Sequence, residues 1–261
     1  MTRWSATASS SRATGAVLKG ADSCYTNFNA GAASPLGKAV GMITQLGDFL
    51  TQDEVAAVKA RLDNAVLWED GGKTADGRAQ EAKNNLQAKM SAPDVKEAIK
   101  HVHAAFNRNM LLRALTRPAT IVKVMFNRYD EGMEYGAHVD KPYMDNIRTD
   151  ISFTVFLSGP SDYDGGALMI DGVSGGARVK SDSGSIVVYP SNHLHWVEKV
   201  SRGSRLAAVG WIKSNVRSPE QRALLFDIDR ALAELQPVGN IDKTKDRLEN
   251  LRNGLLRMWG E

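Results

Sequence analysis

Residues 119–213 contain five short runs of β-branched and aromatic residues: TIVKVMF (120–126), ISFTVFL (151–157), ALMI (167–170), SIVVY (185–189) and RLAAVGWI (205–212). Turn-rich segments separate them, among them SGPSDYDGG (158–166) and DGVSGGA (171–177). Short runs of this composition, bounded by glycine, proline and aspartate, predict β-strands. Strands this short and this closely spaced predict a sandwich or a barrel.

Helical patterns flank this β-rich stretch on both sides. Thr51 and Glu54 have the spacing of a capping box and begin one amphipathic segment. Pro93 begins a second, whose apolar period runs as far as Met110 and which we expect to pack on the sheet. After Asn215, Ser218 and Gln221 again have capping-box spacing. Two further helices are predicted there by apolar stripes: Leu224, Leu225, Ile228, Leu232 and Leu235, then Leu248, Leu251, Leu255 and Trp259.

Composition is that of an ordinary globular protein. Hydrophobic residues make up 43% and charged residues 24% of the chain, and the formal charge of +3 comes from Lys and Arg scattered among Asp and Glu. The single cysteine, Cys24, excludes an internal disulfide and a thiolate metal cluster. No apolar run reaches the roughly 18 residues of a transmembrane helix. We therefore expect a cytoplasmic protein with no nucleic-acid or membrane partner.

The chain divides into three predicted parts. Residues 1–41 are rich in Ser, Ala, Thr and Gly and lack an apolar period, which is typical of a disordered extension. A mitochondrial transit peptide, an expression scar or a start codon placed too far upstream remain alternatives for this segment. Residues 42–214 are predicted to form the main domain, with its β-rich core at about 119–213, and residues 215–261 a C-terminal helical unit.

The first candidate metal ligands form an HxD pair. The motifs of zinc proteases, phosphate-binding loops, serine hydrolases and dithiol enzymes are all absent from the sequence, so the histidines carry the argument. His138 and Asp140 lie in YGAHVDKPY (135–143). In an extended segment, residues two apart project to the same face and can bind one metal ion. An HxD pair alone is common by chance, so a further group is needed.

That further group lies in LHWVEKVSRGSRLAAVGWI (194–212), where a histidine and Arg205 stand on two strand-like runs joined by a turn. Two histidines and one carboxylate form the facial triad of non-haem Fe(II) oxygenases, which leaves positions open for a 2-keto acid and O2. An arginine suits the distal carboxylate of such an acid. Strand alternation points His193 and His195 the same way, so both remain candidates for the third ligand.

These motifs are similar to those of a known family. The order His138, Asp140, His195 and Arg205, with YDGGAL (163–168) in between, resembles the prolyl 4-hydroxylase-like oxygenases. From about Met42 to the C-terminus, further stretches resemble the PKHD-type hydroxylases of that superfamily, the bacterial PiuC/YbiX group: KNN (83–85), FNRYDEGMEYGAHVD (126–140), RTDISFTVFLS (148–158), VVYPSNHLHWVEKVSRGSR (187–205) and WIKS (211–214).

The resemblance implies the roles of individual residues. In the superfamily the distal histidine precedes the basic residue by ten positions, which selects His195 over His193 as the third metal ligand. Arg205 then binds the distal carboxylate of 2-oxoglutarate. A tyrosine shortly before HxD contacts the co-substrate, and Tyr129 has that place. Another tyrosine is often found on the strand after HxD, but this chain has Phe156 there, so one hydrogen bond to the keto acid is in question.

The resemblance also implies the fold and the reaction. The fold is a distorted double-stranded β-helix of jelly-roll type, with helices on its major sheet. The reaction is hydroxylation with Fe(II), 2-oxoglutarate and O2, with L-ascorbate as reductant and with release of succinate and CO2. The substrate is a prolyl or lysyl residue or a small molecule linked to iron uptake. A cupin-type metal protein without oxygenase activity and a non-catalytic binding module are the alternatives. The C-terminal helices are a candidate surface for a homo-oligomer.

Overall fold

The computed structural model of the protein describes residues 43–74, 82–172 and 176–261, so the predicted disordered extension at residues 1–41 lies outside the described residues. The helices are α1 (Gln52–Leu62), α2 (Pro93–Arg108), α3 (Met110–Thr116), α4 (Pro219–Leu235) and α5 (Asp242–Trp259). Strands in the first half are β1 (Thr44–Leu46), β2 (Trp68–Asp70), β3 (Lys83–Asn84), β4 (Leu86–Ala88), β5 (Pro118–Tyr129), β6 (Glu134–His138), β7 (Tyr143–Met144) and β8 (Ile147–Arg148). Those in the second half are β9 (Ile151–Phe156), β10 (Tyr163–Gly165), β11 (Leu168–Ile170), β12 (Ala177–Val179), β13 (Ile186–Pro190), β14 (His195–Val197), β15 (Val200–Gly203) and β16 (Arg205–Ser214).

Most of these strands belong to two antiparallel sheets. The larger sheet has seven strands in the order β1-β13-β9-β16-β5-β4-β2, and the smaller has five in the order β12-β11-β14-β6-β3. Neighbours such as β9 and β16 are far apart in the chain, because the chain crosses between the two sheets several times. This arrangement is the jelly roll that the sequence predicted, and all five quoted runs contain strands of it.

The larger sheet has a hydrophobic core on one face, where α1 and α2 cover it. The buried residues of this core come from both layers: Val55, Val58, Leu62, Val95, Val102 and Phe106 from the helices, and Val124, Phe126, Phe153, Val155, Ile186 and Val188 from the strands. The ring of Phe106 lies 5.0 Å from that of Phe49 and 4.9 Å from that of Phe153. The prediction that helices pack on the major sheet is thereby confirmed.

The second predicted helix ends earlier than its apolar period suggests. α2 ends at Arg108, because Asn109 leaves the helical conformation, with φ −85° and ψ 95°. The side chain of Asn109 accepts a hydrogen bond from the Leu112 amide and so begins α3. Met110 is therefore the first residue of α3 and is 39% exposed. The prediction that Met110 continues the second helix is wrong, since a helix cap interrupts an unbroken apolar period.

The two C-terminal helices pack on each other as a pair. The hydroxyl of Ser218 caps α4 by accepting from the Gln221 amide, as its spacing predicts. Asp229 of α4 is buried and forms ion pairs with Arg117, beside α3, and with Arg252 of α5. The predicted apolar stripe lies on α4, although Leu224 within it is 54% exposed.

The helical unit keeps exposed apolar residues in α5. Leu251 and Met258 are 51% and 76% exposed, and oligomerisation through this unit stays a prediction, as does the division of the chain at residue 215. Within the described ranges, none of the helices has the length and apolar character needed to cross a membrane.

Candidate metal centre and co-substrate pocket

Three candidate ligands meet between the two sheets. The pairing of β6 with β14 places His138 directly opposite His195, with ring centroids 4.2 Å apart. Asp140 follows β6 by two residues, and its carboxylate oxygens lie 3.9 Å from His138 Nε2 and 3.7 Å from His195 Nε2. One donor atom from each residue lies within 4.8 Å of the other two. A cluster of this size can surround a single metal ion.

Main-chain carbonyls orient both imidazoles. His138 Nδ1 lies 2.8 Å from the Gly136 oxygen, and His195 Nδ1 lies 3.0 Å from the His193 oxygen. A carbonyl can only accept, so each Nδ1 carries the proton and each Nε2 has a free lone pair directed toward Asp140. The side chain of His193 is outside the triad, and this residue contributes its carbonyl oxygen instead.

The surroundings keep His138 neutral. Its ring stacks on Tyr135 at 3.7 Å, and Tyr189 lies edge-on to His195 at 5.1 Å. Burial, reinforced by the neighbouring His195, lowers the pKa of His138 to about 4. An unprotonated imidazole is the form that binds a metal ion, so the pocket favours metal binding at neutral pH.

Ser152 holds the carboxylate of Asp140, and Ser191 in turn contacts Ser152. Ser152 donates a 2.5 Å hydrogen bond to Asp140 Oδ2, and its Oγ also lies 2.9 Å from Ser191 Oγ. Since Ser152 has only one hydroxyl proton, Ser191 is the donor in the second bond. Both serines are buried. Ser152 lies within RTDISFTVFLS (148–158), where a hydroxyl in a mainly apolar strand was the available sequence signal for it.

A cavity of about 400 Å³ opens beside the triad, and Arg205 closes it on one side. Arg205 is 1% exposed, and its guanidinium carbon lies 5.3 Å from the centre of the Tyr129 ring and 5.6 Å from that of Phe156. Among the residues that the structure describes, its Nε and Nη1 have no hydrogen-bond partner. A buried cation with unpaired N–H groups is costly, so the pocket is suited to an anion that pairs with it.

The remaining co-substrate candidates surround this guanidinium. Tyr129 is opposite Arg205 in the strand register and is fully buried, and Asn85 lies beside its hydroxyl. Phe156 places a ring where the superfamily often has a phenol, so no hydroxyl comes from this position. Tyr163 was not singled out from YDGGAL. Its buried hydroxyl lies near Arg205, and burial raises the pKa of Tyr163 while the Arg205 cation opposes that rise.

Comparisons with known proteins agree with this geometry. A sequence model described as the 2OG-Fe(II) oxygenase superfamily matches residues 124–213, the range that contains the triad and Arg205. A PKHD-type hydroxylase of Idiomarina loihiensis is 39% identical over 220 residues, which cover 84% of this chain and all of that protein. A PKHD-type hydroxylase of Parvibaculum lavamentivorans is 43% identical over 194 residues, 74% of this chain and 88% of that protein.

The fold is also similar to a solved structure. A prolyl hydroxylase from Trichoplax adhaerens, in complex with a hypoxia-inducible-factor oxygen degradation domain peptide, superposes with a TM-score of 0.52. The match covers 70% of this chain and 86% of that one at 15% sequence identity, so it supports the jelly-roll fold and nothing finer.

Proposed function

Because the chain belongs to the PKHD-type hydroxylases of the 2OG-Fe(II) oxygenase superfamily, we propose that it hydroxylates an unactivated C–H bond, with Fe(II) bound by His138, Asp140 and His195. The chain is a 2-oxoglutarate-dependent dioxygenase, with Fe(II) as its cofactor and 2-oxoglutarate as its co-substrate. The observation that carries the proposed ligand set is the meeting of three donor atoms within 4.8 Å, beside a cavity that also contains Arg205.

The donor set fits iron. Two imidazoles with free Nε2 atoms and one carboxylate bind on one face of the ion and leave its other positions open. When bound, the iron supplies, with O2 and the keto acid, the oxidising chemistry that hydroxylates the substrate and releases succinate and CO2. Ser152 donates to Asp140 Oδ2, so the other carboxylate oxygen would be the one available to the metal. The main-chain acceptors of the two Nδ1 atoms keep the imidazoles aimed at the same point.

The pocket also fits the keto acid. Arg205 would bind the distal carboxylate, because it is a buried planar cation whose Nε and Nη1 have no hydrogen-bond partner among the described residues. The aromatic rings of Tyr129 and Phe156 would cover the methylene groups of the co-substrate and exclude solvent from it. Tyr129 is proposed as a further contact of the co-substrate, with Asn85 beside its hydroxyl.

A cupin-type metal protein without a keto acid is the second candidate. It would need the triad but would have no use for a buried guanidinium whose Nε and Nη1 lack partners in the described part of the chain, so Arg205 favours the oxygenase. For the substrate we propose either a prolyl or lysyl residue or a small molecule that is linked to iron uptake. Ascorbate is proposed as the reductant that maintains Fe(II).

Succinate formation tests the proposed ligand set. The purified protein with Fe(II), ascorbate and air is expected to convert 2-oxoglutarate slowly to succinate, and His138→Ala, Asp140→Ala and His195→Ala are each expected to abolish this conversion and metal binding. His103→Ala, a histidine on α2, is the matched control and should retain both. Wild-type turnover in His195→Ala, with loss in His193→Ala instead, would move the third ligand to His193.

A further inference from the structure

Three neighbouring strands form the floor of the cavity in successive rungs. From β16, β5 and β9 the inward-facing residues are Arg205 with Tyr129; Ala207 with Asn127 and Phe156; Val209 with Met125 and Thr154; and Trp211 with Lys123 and Ser152. A strand rises roughly 3.3 Å per residue, so the Arg205 rung and the Trp211 rung lie about 20 Å apart. The cavity therefore has an arginine end and a tryptophan end.

The triad lies nearer the tryptophan end than the arginine end. Ser152 belongs to the Trp211 rung, and its hydroxyl holds Asp140, so the proposed metal lies over this part of the floor. On the proposed function, 2-oxoglutarate extends from the metal toward Arg205 and fills the arginine end. The space next to Trp211 and Lys123 is then left for the molecule that is hydroxylated.

Hydrogen-bond donors surround this remaining space. Trp211 is 7% exposed, lines the cavity, and its Nε1–H has no hydrogen-bond partner among the described residues. Lys123 lines the cavity from the same rung. From the opposite sheet, Lys83 is 9% exposed, and its ammonium lies 5.4 Å from the centre of the Tyr135 ring, which stacks on His138. Two cations and one neutral donor thus face the reaction centre.

The charge balance of the loaded site also favours an anion. A divalent metal, the Asp140 carboxylate, the dianionic co-substrate and the Arg205 guanidinium together have no net charge. Lys123 then adds positive charge in a partly enclosed space, where a counter-charge is favoured, and Lys83 adds a second charge that Asp70 offsets only in part. The other acid that lines the cavity, Asp145, is in the exposed turn between β7 and β8.

The walls around these donors are apolar. Met125 and Val209 cover the floor, and Tyr143, 55% exposed, stands at the rim with Met144. A two-residue turn, Asp145 and Asn146 with φ values of 50° and 62°, closes the hairpin that presents Tyr143. The site therefore suits an apolar body attached to a charged group.

We propose that the substrate carries an anionic group, a carboxylate or a phosphate, which binds between Lys123, Lys83 and the Trp211 indole N–H, while its apolar body places a C–H bond toward the metal. This inference rests on the proposed function, since the place of the co-substrate defines the space that is left. It narrows the substrate class to acidic molecules or acidic peptide segments.

Small aromatic probes of different charge test the subsite. The protein is loaded with Mn(II) in place of Fe(II) and saturated with 2-oxoglutarate, and both steps are checked by calorimetry. Phenylacetate, phenyl phosphate, benzyl alcohol and benzylamine are then titrated, and the relaxation of their ring protons by Mn(II) reports binding near the metal. Both anions should bind about tenfold or more tightly than the alcohol, with the amine weakest. Whichever of phenylacetate and phenyl phosphate binds more tightly shows whether the subsite prefers a carboxylate or a phosphate.

Lysine variants supply the second arm. Lys123→Met and Lys83→Met should each lower affinity for the anions by about tenfold and leave that for benzyl alcohol within about twofold. Lys199→Met, at an exposed position outside the cavity, is the control and should change neither. In cell extract supplied with Fe(II), ascorbate and 2-oxoglutarate, the hydroxylated product should be retained by an anion-exchange resin at pH 7.

Three results would overturn the subsite: no relaxation enhancement with either anion, equal affinity for anions and alcohol, or a hydroxylated product in the unretained fraction. Unchanged anion affinity in both lysine variants would show that Lys83 and Lys123 do not bind the anionic group, which would overturn the proposed subsite. If calorimetry detects no binding of Mn(II) or of 2-oxoglutarate, the proposed function fails first, and the subsite is rejected with it.

Discussion

The two faces of the larger sheet are equally buried but chemically opposite. In β9, Phe153 and Val155 face the helices, while Ser152 and Thr154 face the cavity, and none of the four is more than 2% exposed. The helix face needs no ligand, since aromatic and aliphatic side chains fill the space between the sheet and the helices. The cavity face contains polar atoms that have no partner among the described residues, in Asn127, Arg205 and Trp211.

This difference teaches how burial should be interpreted. On the helix face, a buried side chain stabilises the fold, because removing it leaves a void. On the cavity face, a buried polar side chain without a partner destabilises the unliganded protein, and it stabilises the complex when a ligand supplies that partner. Substitutions on the helix face should therefore change unfolding, and those on the cavity face should change binding.

The largest effect is expected from Phe153→Ala. Its ring packs 4.9 Å from that of Phe106, and loss of a buried aromatic ring typically lowers the free energy of unfolding by about 3 to 5 kcal/mol. Urea unfolding of the unliganded protein measures this. Thr154→Val, one residue away on the cavity face, is the matched control and should cost much less. Equal losses for the two variants would erase the distinction between the faces.

Arg205→Ala should mainly change co-substrate binding. Loss of one partner of a buried charge pair costs about 2 to 5 kcal/mol, so the apparent 2-oxoglutarate constant should rise roughly thirtyfold or more. Arg205→Lys should recover only part of this, because an ammonium lacks the planar fork. Metal affinity should survive. Calorimetry with Mn(II) in place of Fe(II) measures both constants, and unchanged 2-oxoglutarate binding in Arg205→Ala would place the anchor elsewhere.

Two further measurements separate binding from folding for Arg205. Pyruvate lacks the distal carboxylate, so it should be a poor co-substrate for the wild type, and Arg205→Ala should change its use little. Arg205→Met should keep or raise the melting temperature of the unliganded protein, because it removes a buried cation with unpaired N–H groups. A clear loss of stability in Arg205→Met would show that the guanidinium belongs to the fold rather than to the ligand.

Ser152→Ala should weaken metal binding by an intermediate amount. Its hydroxyl fixes Asp140 Oδ2, and loss of a residue that orients a metal ligand typically lowers affinity about 10- to 100-fold. Titration with Mn(II), followed by electron paramagnetic resonance, measures the constant. Ser158→Ala is the control for a purely structural loss, because Ser158 is also buried but donates its hydroxyl to the main-chain oxygen of Ser204.

The smallest effect is expected from Tyr163→Phe. Its hydroxyl lies near Arg205 and has no hydrogen-bond partner among the described residues, so it can bond the co-substrate that Arg205 holds, and its removal should raise the 2-oxoglutarate KM by about two- to tenfold. The kcat at saturating co-substrate should not change, since the phenol touches neither the metal nor the reacting bond. Tyr143→Phe at the rim is the control. A fall in kcat with constant KM would contradict this positioning role.

Local patterns predicted much of the fold. The five strand runs, the capping residues Thr51 and Ser218 and the covering helices all follow from propensity, periodicity and turn residues within a few positions. The resemblance to the prolyl 4-hydroxylase-like oxygenases implied the proximity of His138 and His195, which strand pairing brings together. The roles assigned to these residues and to Arg205 remain predictions until the ligand-site experiments are done.

Contacts across the fold could not be predicted in the same way. All six residues of β9 are buried, so exposure gives no alternation to show that Ser152 faces Asp140. Tyr163 reaches Arg205 only because β10 pairs with β15, beyond the local sequence. Strand alternation could not choose between His193 and His195, because it was applied to both residues as if they lay on one strand. His193 precedes β14, so strand alternation does not describe its side chain.

The carbonyl oxygens of Gly136 and His193 bear on how this centre is inherited. An acceptor in a side chain can be lost through one nucleotide change, whereas a main-chain oxygen is present whichever amino acid is encoded. Mutation at codon 193 therefore exchanges a side chain without deleting the atom that orients His195. The orientation of the two imidazoles is therefore inherited as long as the path of the strands is kept. The side chains of the cavity wall can change independently of it.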